Sequence, residues 1–336
     1  MAGFADIRRF GSMVVAAAMA VAVTGGIASA QTGKPWRHGV IEPKADAGIL
    51  MMASQRHFFE KVGLNVEIVK VKNDQIGLKA ALAGELDSYE GGPGGAIVAD
   101  SRGVDVKVIG CSWLTVPHGI FVHDDITAMS QLKGKTIAIS APGSFPDILA
   151  RGALAKFKVP EDSVKFATVG GDLDRYKALV AHVVDAAVVS GEYLPLAEKQ
   201  KIKMLVSGAE ALPDFVRVCS MATEKRLKER PDDAAKFIAG EILALRYAVK
   251  NKAETVKVAQ EVSGIKPDDP RPAFIFDLAM KQHAIGTEMP IPMDKMAWLQ
   301  NELIHLGKVK KAMDVSKFVD NAPREAALKL LEKKIQ

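Results

Sequence analysis

Several side chains that could contact a ligand lie in loops that follow predicted strands. In open α/β sheets, ligands bind outside the carboxyl ends of the strands, where the loops to the next helices begin. Here these loops are rich in Gly, Ser and Pro and carry hydroxyl, carboxyl and aromatic groups: 42–46, 91–95, 110–118, 140–145 and 190–193, with 170–172 beside them. Such groups can hold a small molecule by hydrogen bonds and stacking without themselves reacting.

The sequence from Ser144 to Asp147 predicts the start of a helix. Ser144 is a capping residue, Pro146 occupies the first turn, and Asp147 stands where it nearly completes a capping box. The free N–H groups and the positive dipole end of a helix attract an anion or a carbonyl oxygen. The same residues are equally compatible with a capped helix whose end faces solvent.

Two further loops contain groups whose role is open between binding and packing. The Gly-Gly-Pro-Gly-Gly run over 91–95 would let backbone amides approach a ligand, or would simply form a tight turn. It lacks the Lys-Ser/Thr of a P-loop, and no GxGxxG is present, so a nucleotide site is not expected. Trp113 could form a flat wall for a ligand, with Phe145 and Tyr193 as further candidates, or could be packed in the core.

Familiar catalytic and metal-binding spacings are missing from the sequence. The seven histidines form no H-E-x-x-H pair, and there is no Gly-x-Ser-x-Gly elbow. The carboxylates in the candidate loops can hydrogen-bond a ligand without acid–base work; they are Glu42, Asp46, Glu90 and Glu192. We therefore expect no catalytic residue, no metal site and no cofactor.

The two cysteines, Cys111 and Cys219, exclude a disulfide-dense scaffold and a cysteine-based zinc cluster. Both fall in predicted strands. In an exported protein they could be bonded to each other, because that compartment is oxidising, or they could be buried thiols that act as small hydrophobes. Sequence alone leaves the pairing open.

Composition and charge narrow the class of protein. The 336 residues are 48% hydrophobic and 25% charged, which is typical of a globular chain. The net charge of +5 is spread along the sequence with no basic block, so a nucleic-acid partner is not expected. No apolar run approaches the ~18 residues that a membrane span needs.

Residues 1–30 have the three parts of a secretory signal peptide. Arg8 and Arg9 precede an apolar stretch over 13–23, and the segment ends in Ala28-Ser29-Ala30. The apolar stretch is too short to cross a bilayer, which argues against a retained anchor. We expect cleavage after Ala30 and an exported, periplasmic protein, without lipid attachment because no cysteine lies near that site.

Predicted strands and helices alternate along the mature chain. Alternating patterns run from residue 35 to residue 110 and again from 135 to 206, which predicts mainly parallel sheets flanked by helices. After the strand-like segment 215–222 the pattern is purely helical from Pro231 to the end. The predicted fold is α/β, with two similar lobes and a carboxyl-terminal helical extension.

Four motifs, in this order, resemble those of the periplasmic solute-binding proteins of ABC importers. They are Gly63-Leu-Asn-Val-Glu67, Leu82-Ala-Gly-Glu-Leu-Asp87, Leu132-Lys-Gly-Lys-Thr-Ile137 and Val184-Asp-Ala-Ala187. The group they resemble includes receptors for sulfonates, taurine, nitrate and the pyrimidine precursor of thiamine. The resemblance extends over essentially the whole mature chain, as far as Asp314-Val-Ser-Lys-Phe-Val-Asp320, and departs at His182, where the family usually has glycine.

The resemblance implies the type II periplasmic binding fold, in which two lobes close over a ligand. It places one lobe at 31–123 plus 216–336 and the other at 124–215, with crossing strands near 123–125 and 213–216. It further implies delivery of the ligand to a membrane permease driven by a cytoplasmic ATPase, and a receptor that acts as a monomer. Ligand binding would shift the population from open molecules toward closed ones.

Carried over position by position, the resemblance also names ligand-binding residues from both lobes. They are Lys44, Ala45, Asp46, Gly92, Pro93, Trp113, Ser140, Ser144, Phe145, Ser190, Glu192 and Tyr193. Donors over 140–145, with Lys44 opposite, suit a small organic anion, either a sulfonate or a carboxylate, aromatic members included. Glu42, Glu90 and Glu192 instead suit an aminopyrimidine, on whose ring Trp113 or Tyr193 would stack.

An enzyme on the same fold is a further alternative. Relatives of the group include a pyrimidine synthase with a cysteine-rich motif and desulfinases that use a cleft cysteine. In this sequence the first loop has no cysteine, and only Cys111 borders a candidate loop. We therefore expect a binding protein rather than an enzyme.

Overall fold

The computed structural model describes residues 33–41 and 43–333. The expected signal peptide over 1–30, its cleavage site after Ala30, and Glu42 lie outside the described residues. Within those ranges no helix is both long enough and apolar enough to cross a membrane.

The strands of the described residues form two five-stranded sheets of the same design. The first sheet has the order β2-β1-β3-β10-β4, and the second has the order β7-β6-β8-β5-β9. The strands are β1 Trp36–Ile41, β2 Val66–Val71, β3 Ser88–Gly91, β4 Val106–Trp113, β5 His118–His123, β6 Thr136–Ile139, β7 Lys165–Thr168, β8 Ala186–Ser190, β9 Ile202–Ser207 and β10 Val218–Thr223. In each sheet one strand, β10 or β5, runs antiparallel to both neighbours. The expected α/β fold with mainly parallel sheets is confirmed.

Hydrophobic patterning explains which strands lie inside the sheets. β6 and β8 read Thr-Ile-Ala-Ile and Ala-Ala-Val-Val-Ser, and nearly all of their residues are buried, as in parallel strands covered on both faces. The edge strands β2 and β7 contain Glu or Lys and stay partly exposed. Charged residues on such an edge oppose pairing with another chain.

Helices connect the parallel strands, and a helical region follows β10, as expected. The α-helices are α1 Ala47–Leu50, α2 Met52–Gln55, α3 Phe58–Lys61, α4 Asp74–Leu82, α5 Gly94–Asp100, α6 Phe145–Lys156, α7 Asp172–Val180, α8 Leu194–Ala197, α9 Gly208–Ala211, α10 Glu224–Glu229, α11 Pro231–Ala248, α12 Lys252–Ser263, α13 Arg271–Lys281, α14 Met293–His305 and α15 Ala322–Glu332. Short 3-10 helices span Met129–Leu132, Glu161–Ser163, Gly191–Tyr193, Glu198–Gln200 and Val315–Phe318.

The first helical segment differs from its sequence pattern. The pattern favours one helix between Asp46 and Gly63, whereas the structure has α1, α2 and α3 in succession. His57 adopts a left-handed backbone conformation with φ of 57°, which interrupts the α-helical hydrogen-bond ladder. Phe59 is still buried in the core, so the apolar periodicity is used although the helix is broken.

The chain crosses between the sheets twice. The first crossing is 114–117, which joins β4 of the first sheet to β5 of the second, and the other is the segment that leads from β9 to β10. The expected crossing near 123–125 is therefore wrong, because residues 118–123 pair with β8 and β9 in the second sheet. β5 is as apolar as β4, so no change in composition marks the passage from one sheet to the other.

One lysine contacts both crossing segments. The ammonium group of Lys295, in α14, donates hydrogen bonds to the carbonyl oxygens of Leu114 and Pro213 at 3.3 and 3.1 Å. Leu114 belongs to the first crossing and Pro213 to the second. The carboxyl-terminal helices thus tie together the two connections between the sheets.

A disulfide joins Cys111 to Cys219, the pairing that the sequence left open. The two residues lie opposite each other in β4 and β10 of the first sheet, although 108 positions separate them along the chain. Because the sequence has only two cysteines, no free thiol remains.

Candidate functional site

Charged and polar side chains from both sheets meet at the edge where the parallel strands end. Four belong to the first sheet and three to the second. The group, which we call the inter-sheet cluster, comprises Lys44, Asp46, Trp113, His118, Asp172, Glu192 and Arg217. β5 and β10 run antiparallel to their neighbours, so the residues at their starts lie at the same edge as the carboxyl ends of the other strands.

An ion pair links the two sheets directly. Lys44 follows β1, and its Nζ lies 2.5 Å from Oδ2 of Asp172, which begins α7 after β7. Asp172 is 5% exposed and also accepts a hydrogen bond from Arg175 at 2.5 Å. Burial alone would raise the pKa of Asp172, but the positive charges of Lys44 and Arg175, together with a hydrogen bond from His118, hold it well below its usual range. Asp172 therefore stays ionised and attracts cations from both sheets.

A second ion pair lies on the first sheet. Asp46 precedes α1 without capping it, and its carboxylate instead accepts a hydrogen bond from Nη2 of Arg217. The Arg217 guanidinium lies over the Trp113 ring, 4.6 Å from its centroid. The backbone N–H of Arg217 also donates to the Trp113 carbonyl oxygen at 3.0 Å. These contacts fix the position of the guanidinium group.

Two buried carboxyl groups near these ion pairs have raised pKa values. Burial and the negative charge of Asp46 raise the pKa of Glu192 to about 8, although Lys44 opposes the shift. Burial likewise raises the pKa of Glu90 to about 7, while the hydrogen bond from the Ile41 N–H opposes it. At neutral pH the Glu192 carboxyl is therefore largely protonated and can donate a hydrogen bond.

Four buried polar atoms of this region have no hydrogen-bond partner among residues 33–41 and 43–333. They are Trp113 Nε1, His118 Nδ1, Glu192 Oε2 and Arg217 Nη1. Buried polar atoms in folded proteins nearly always have partners, and an unpartnered one costs about 1–3 kcal/mol. Since the atoms come from both sheets and belong to one cluster, they define a candidate ligand site.

The loop before α6 lies against the same cluster. The ring of Phe145 contacts His118 edge-on, with centroids 5.0 Å apart. α6 begins at Phe145, as the sequence predicts, but the near-capping box does not form. The Ser144 hydroxyl donates to the Ala141 carbonyl oxygen at 2.6 Å, and the Asp147 carboxylate accepts the Gly143 N–H at 2.6 Å.

Three other residues expected in the site differ in their contacts. Ser140 donates its hydroxyl hydrogen to Ser144 Oγ at 2.8 Å. Gly92 lies beside Arg217, since a Cβ at this position would be 3.8 Å from the Arg217 carbonyl oxygen. Ser190 ends β8 and is buried just before Glu192.

Ala45, Pro93 and Tyr193 complete the set of expected residues. Ala45 is part of the hydrophobic core, and Pro93 precedes α5. Tyr193 is buried, with its ring 4.9 Å from that of Tyr176 and the Arg271 guanidinium 5.4 Å from its centroid. The structure therefore gathers Lys44, Asp46, Trp113 and Glu192 into one group, but not all twelve expected residues.

Sequence reasoning missed His118, Asp172, Arg175 and Arg217 as members of the site. His118 and Asp172 stand in the candidate loops, so the loop rule could have selected them. Arg217 carried a different signal: it is a lone charge inside the apolar run Phe215-Val-Arg-Val-Cys219. A charge in such a run calls for a specific partner when the segment is buried.

Metal ligands are not grouped in the described ranges. Among residues 33–41 and 43–333 no set of three or more His, Cys, Asp or Glu side chains is arranged to hold a metal ion. The carboxylates of Asp46 and Asp172 are instead committed to Arg and Lys side chains.

Comparison of the sequence with known protein families shows to which family it belongs. The profile of the NMT1/THI5-like family matches residues 44–255, which is more than half of the chain. The chain belongs to the NMT1/THI5-like family. Proteins of Brucella abortus (strain 2308) and Brucella suis biovar 1 (strain 1330), provisionally described as binding proteins, are each 28% identical over 230 residues. The match covers 67% of this chain and 70% of each relative.

Solved structures with the same fold include two periplasmic receptors. The aliphatic sulphonate binding protein SsuA from Escherichia coli has a TM-score of 0.70 at 18% identity, covering 86% of this chain and 93% of that chain. The nitrate-binding protein NrtA from Synechocystis PCC 6803 has a TM-score of 0.73 at 16% identity, covering 89% of both chains. The desulfurization enzyme DSZB also shares the fold, with a TM-score of 0.65 at 14% identity, over 89% of this chain and 99% of that chain. The periplasmic binding protein fold of this family member is thereby established.

Proposed function

We propose that this protein is the periplasmic receptor of an ABC importer and captures a small organic anion, a sulfonate or a carboxylate, between its two sheets. The receptor is exported by the signal peptide over 1–30, acts as a monomer, and delivers its ligand to a membrane permease driven by a cytoplasmic ATPase. Membership of the NMT1/THI5-like family and the fold shared with sulphonate-binding and nitrate-binding receptors support this proposal.

The observation that carries the proposal is a pair of unpartnered hydrogen-bond donors. Trp113 Nε1 and Arg217 Nη1 are both buried without a partner in the described part of the chain, and the two side chains lie against each other. Neither group can accept a hydrogen bond. An anionic oxygen would satisfy both donors at once, and hydrogen bonds between ionised groups are roughly twice as strong as neutral ones.

The charges around these donors favour the same kind of ligand. The cations of Lys44, Arg175 and Arg217 face the two carboxylates of Asp46 and Asp172. Glu192 adds little negative charge at neutral pH, because its pKa is about 8. Glu90, with a pKa of about 7, is partly ionised, so the net charge of this set lies between zero and +1 and favours an anion over a cation.

A pyrimidine is the second candidate ligand. It is favoured by the Glu192 carboxyl, whose unpartnered Oε2 could pair with the edge of an aminopyrimidine. The stacking part of this hypothesis has less support. One face of Trp113 holds the Arg217 guanidinium, and Tyr193 already packs against Tyr176.

An enzyme with a cleft cysteine would need Cys111 as a free thiol nucleophile. Cys111 is bonded to Cys219, and a disulfide sulfur is not a thiolate. The likeness to DSZB, at 14% identity, concerns the fold. We therefore propose binding without turnover.

Thermal unfolding of the purified protein against a panel of ligands tests the proposed function. The panel contains sulfonates, aliphatic and aromatic carboxylates, nitrate and pyrimidines, and each compound is quantified before and after incubation. A ligand that binds only the folded state stabilises it by ~2.7 kcal/mol at a hundredfold excess over its Kd. We expect a sulfonate or carboxylate to raise the unfolding midpoint and to be recovered unchanged.

Each other outcome points elsewhere. A shift with pyrimidines alone would make the second candidate correct. A compound consumed during incubation would show an enzyme, and a panel without any shift would contradict the choice of ligand class.

A further inference from the structure

We propose that the ligand is a monoanion with a hydroxyl group at the end away from its anionic group, that is, a hydroxycarboxylate or a hydroxysulfonate. This inference rests on the proposed function and narrows its ligand class. It follows from the way in which the four unpartnered atoms of the inter-sheet cluster divide between the two sheets.

The two unpartnered atoms of the first sheet are both donors. Trp113 ends β4 and Arg217 immediately precedes β10, and both present an N–H without a partner among the described residues. Nη2 of the Arg217 guanidinium donates to Asp46. This side of the site therefore suits an acceptor that carries negative charge.

The second sheet supplies an acceptor and a donor around the Lys44–Asp172 ion pair. His118 pairs with Ser190 across β5 and β8, and the Gly191 N–H donates to the Pro117 carbonyl oxygen at 2.8 Å. Glu192 follows Ser190 by two positions, and the charges of Lys44 and Asp172 act on both His118 and Glu192. Nδ1 of His118 and Oε2 of Glu192 are both buried and without a partner.

The protonation of these two groups follows from their surroundings. His118 Nε2 lies 3.5 Å from Oδ1 of the ionised Asp172, so the imidazole hydrogen belongs on Nε2 and the lone pair on Nδ1. Burial lowers the pKa of His118 despite Asp172, which keeps the ring neutral. The Glu192 carboxyl is a donor in its protonated form.

A hydroxyl group complements this pair. It can donate its hydrogen to Nδ1 of His118 and accept the hydrogen of the Glu192 carboxyl. A methyl group at the same place would leave both atoms unsatisfied, which is the situation in which a polar site rejects an apolar analogue. An ammonium group would require an ionised carboxylate, whereas Asp46 and Asp172 are already paired with Arg and Lys.

Titration calorimetry with matched ligands tests the inference. The pairs are ethanesulfonate against 2-hydroxyethanesulfonate, butyrate against 4-hydroxybutyrate, and benzoate against 4-hydroxybenzoate. Two ammonium analogues, 2-aminoethanesulfonate and 4-aminobutyrate, complete the set. In at least one pair we expect the hydroxylated member to bind about 10- to 100-fold more tightly, and to exceed its ammonium analogue.

Variants at Glu192 locate the effect. Glu192→Gln keeps a donor and an acceptor at this position, so the preference for the hydroxyl group should persist. Glu192→Leu should reduce the preference, taken as the ratio of the two dissociation constants within a pair, to about twofold or less. Glu198→Leu, at an exposed position in the 3-10 helix that follows, is the matched control and should behave like the parent protein. Circular dichroism melts confirm that each variant is folded.

The outcomes separate this inference from the proposed function. If anions bind but no pair shows a preference, or if ammonium analogues bind best, the inference is wrong and the anion receptor stands. If the preference survives in a folded Glu192→Leu variant, the placement of the hydroxyl group is wrong. If no anion binds at all, both the inference and the proposed function fail.

Discussion

The two sheets share one strand order but are held together by different means. In the first sheet the antiparallel strand β10 is bonded covalently to β4 through Cys219 and Cys111. In the second sheet the antiparallel strand β5 has Gly119 at the same second position. A Cβ at Gly119 would lie 2.6 Å from Met204 side-chain atoms, so close packing of the backbone replaces the cross-link there.

The difference matters because the cross-link flanks the anion-binding donors. Trp113 stands two residues after Cys111, and Arg217 stands two residues before Cys219. The disulfide therefore fixes the spacing of the two segments that carry Trp113 Nε1 and Arg217 Nη1. On the second sheet, Asp172 is oriented by hydrogen bonds from Lys44 and from Arg175, which also donates to the Val188 carbonyl oxygen at 2.6 Å. One side of the site is covalently preorganised, and the other is held by a polar network.

Removing the disulfide is the most direct test of the difference between the two sheets. The cross-link spans 108 positions, and for a loop of this size chain entropy predicts a loss of about 4–5 kcal/mol in the free energy of unfolding when both cysteines become alanine. Urea unfolding of the Cys111→Ala/Cys219→Ala variant measures this loss. Because the cross-link also positions Arg217, we expect ligand affinity to fall several-fold.

Reductant provides the internal control for this variant. It should destabilise the parent protein by a similar amount and leave the double variant unchanged. A double variant as stable as the parent, or one with unchanged ligand affinity, would show that the two sheets do not differ in the way we infer.

Removing the donor that the disulfide supports has the next largest effect. Arg217→Met leaves Asp46 without its partner and deletes one of the two donors for the anion. Truncating one member of a buried charge pair in a binding site costs about 2–5 kcal/mol of binding free energy. Titration calorimetry with the ligand found in the screen should show this loss. Arg246→Met, which breaks a pair with Glu288 outside the cluster, is the control and should leave affinity unchanged.

The inter-sheet ion pair should contribute less. Lys44→Met removes the direct link to Asp172, but Asp172 keeps Arg175 as a partner, and Lys44 is 39% exposed. We expect affinity to fall by less than about tenfold, as for a partly solvated pair. Small-angle X-ray scattering without ligand should show a larger radius of gyration for Lys44→Met. An unchanged radius would mean that the ion pair does not hold the sheets together.

The sequence predicts the sheets better than it predicts the site. Apolar strands such as β6 and β8 are recognisable locally, because burial on both faces leaves a continuous hydrophobic run. Arg217 acquires its role only through the pairing of β4 with β10, which are far apart in the chain. His118 similarly depends on the passage of β5 into the second sheet. Pairing between strands that are far apart in the chain cannot be predicted from local hydrophobic periodicity.

The protonation of Glu192 has the smallest expected effect, and it tests the second sheet alone. The pKa of Glu192 is raised from 4.5 to about 8 by burial, so the folded state binds a proton that the unfolded state has released between these values. Stability from this group is fully present below pH 4.5 and is lost as the pH rises through about 8. Glu90 and Glu241, with pKa values of about 7 and about 8, contribute in the same direction.

The free energy of unfolding should therefore fall less steeply in Glu192→Gln than in the parent protein between about pH 5 and pH 8. Relative to the parent, the variant should gain stability as the pH rises, since it has no carboxyl group to ionise. Urea unfolding at a series of pH values measures the two slopes, and Glu198→Gln serves as an exposed control with the parent's slope. Equal slopes for Glu192→Gln and the parent would mean that Glu192 ionises freely in the folded protein. The second sheet would then present a carboxylate to the ligand, and the two sides of the site would differ in charge rather than in rigidity.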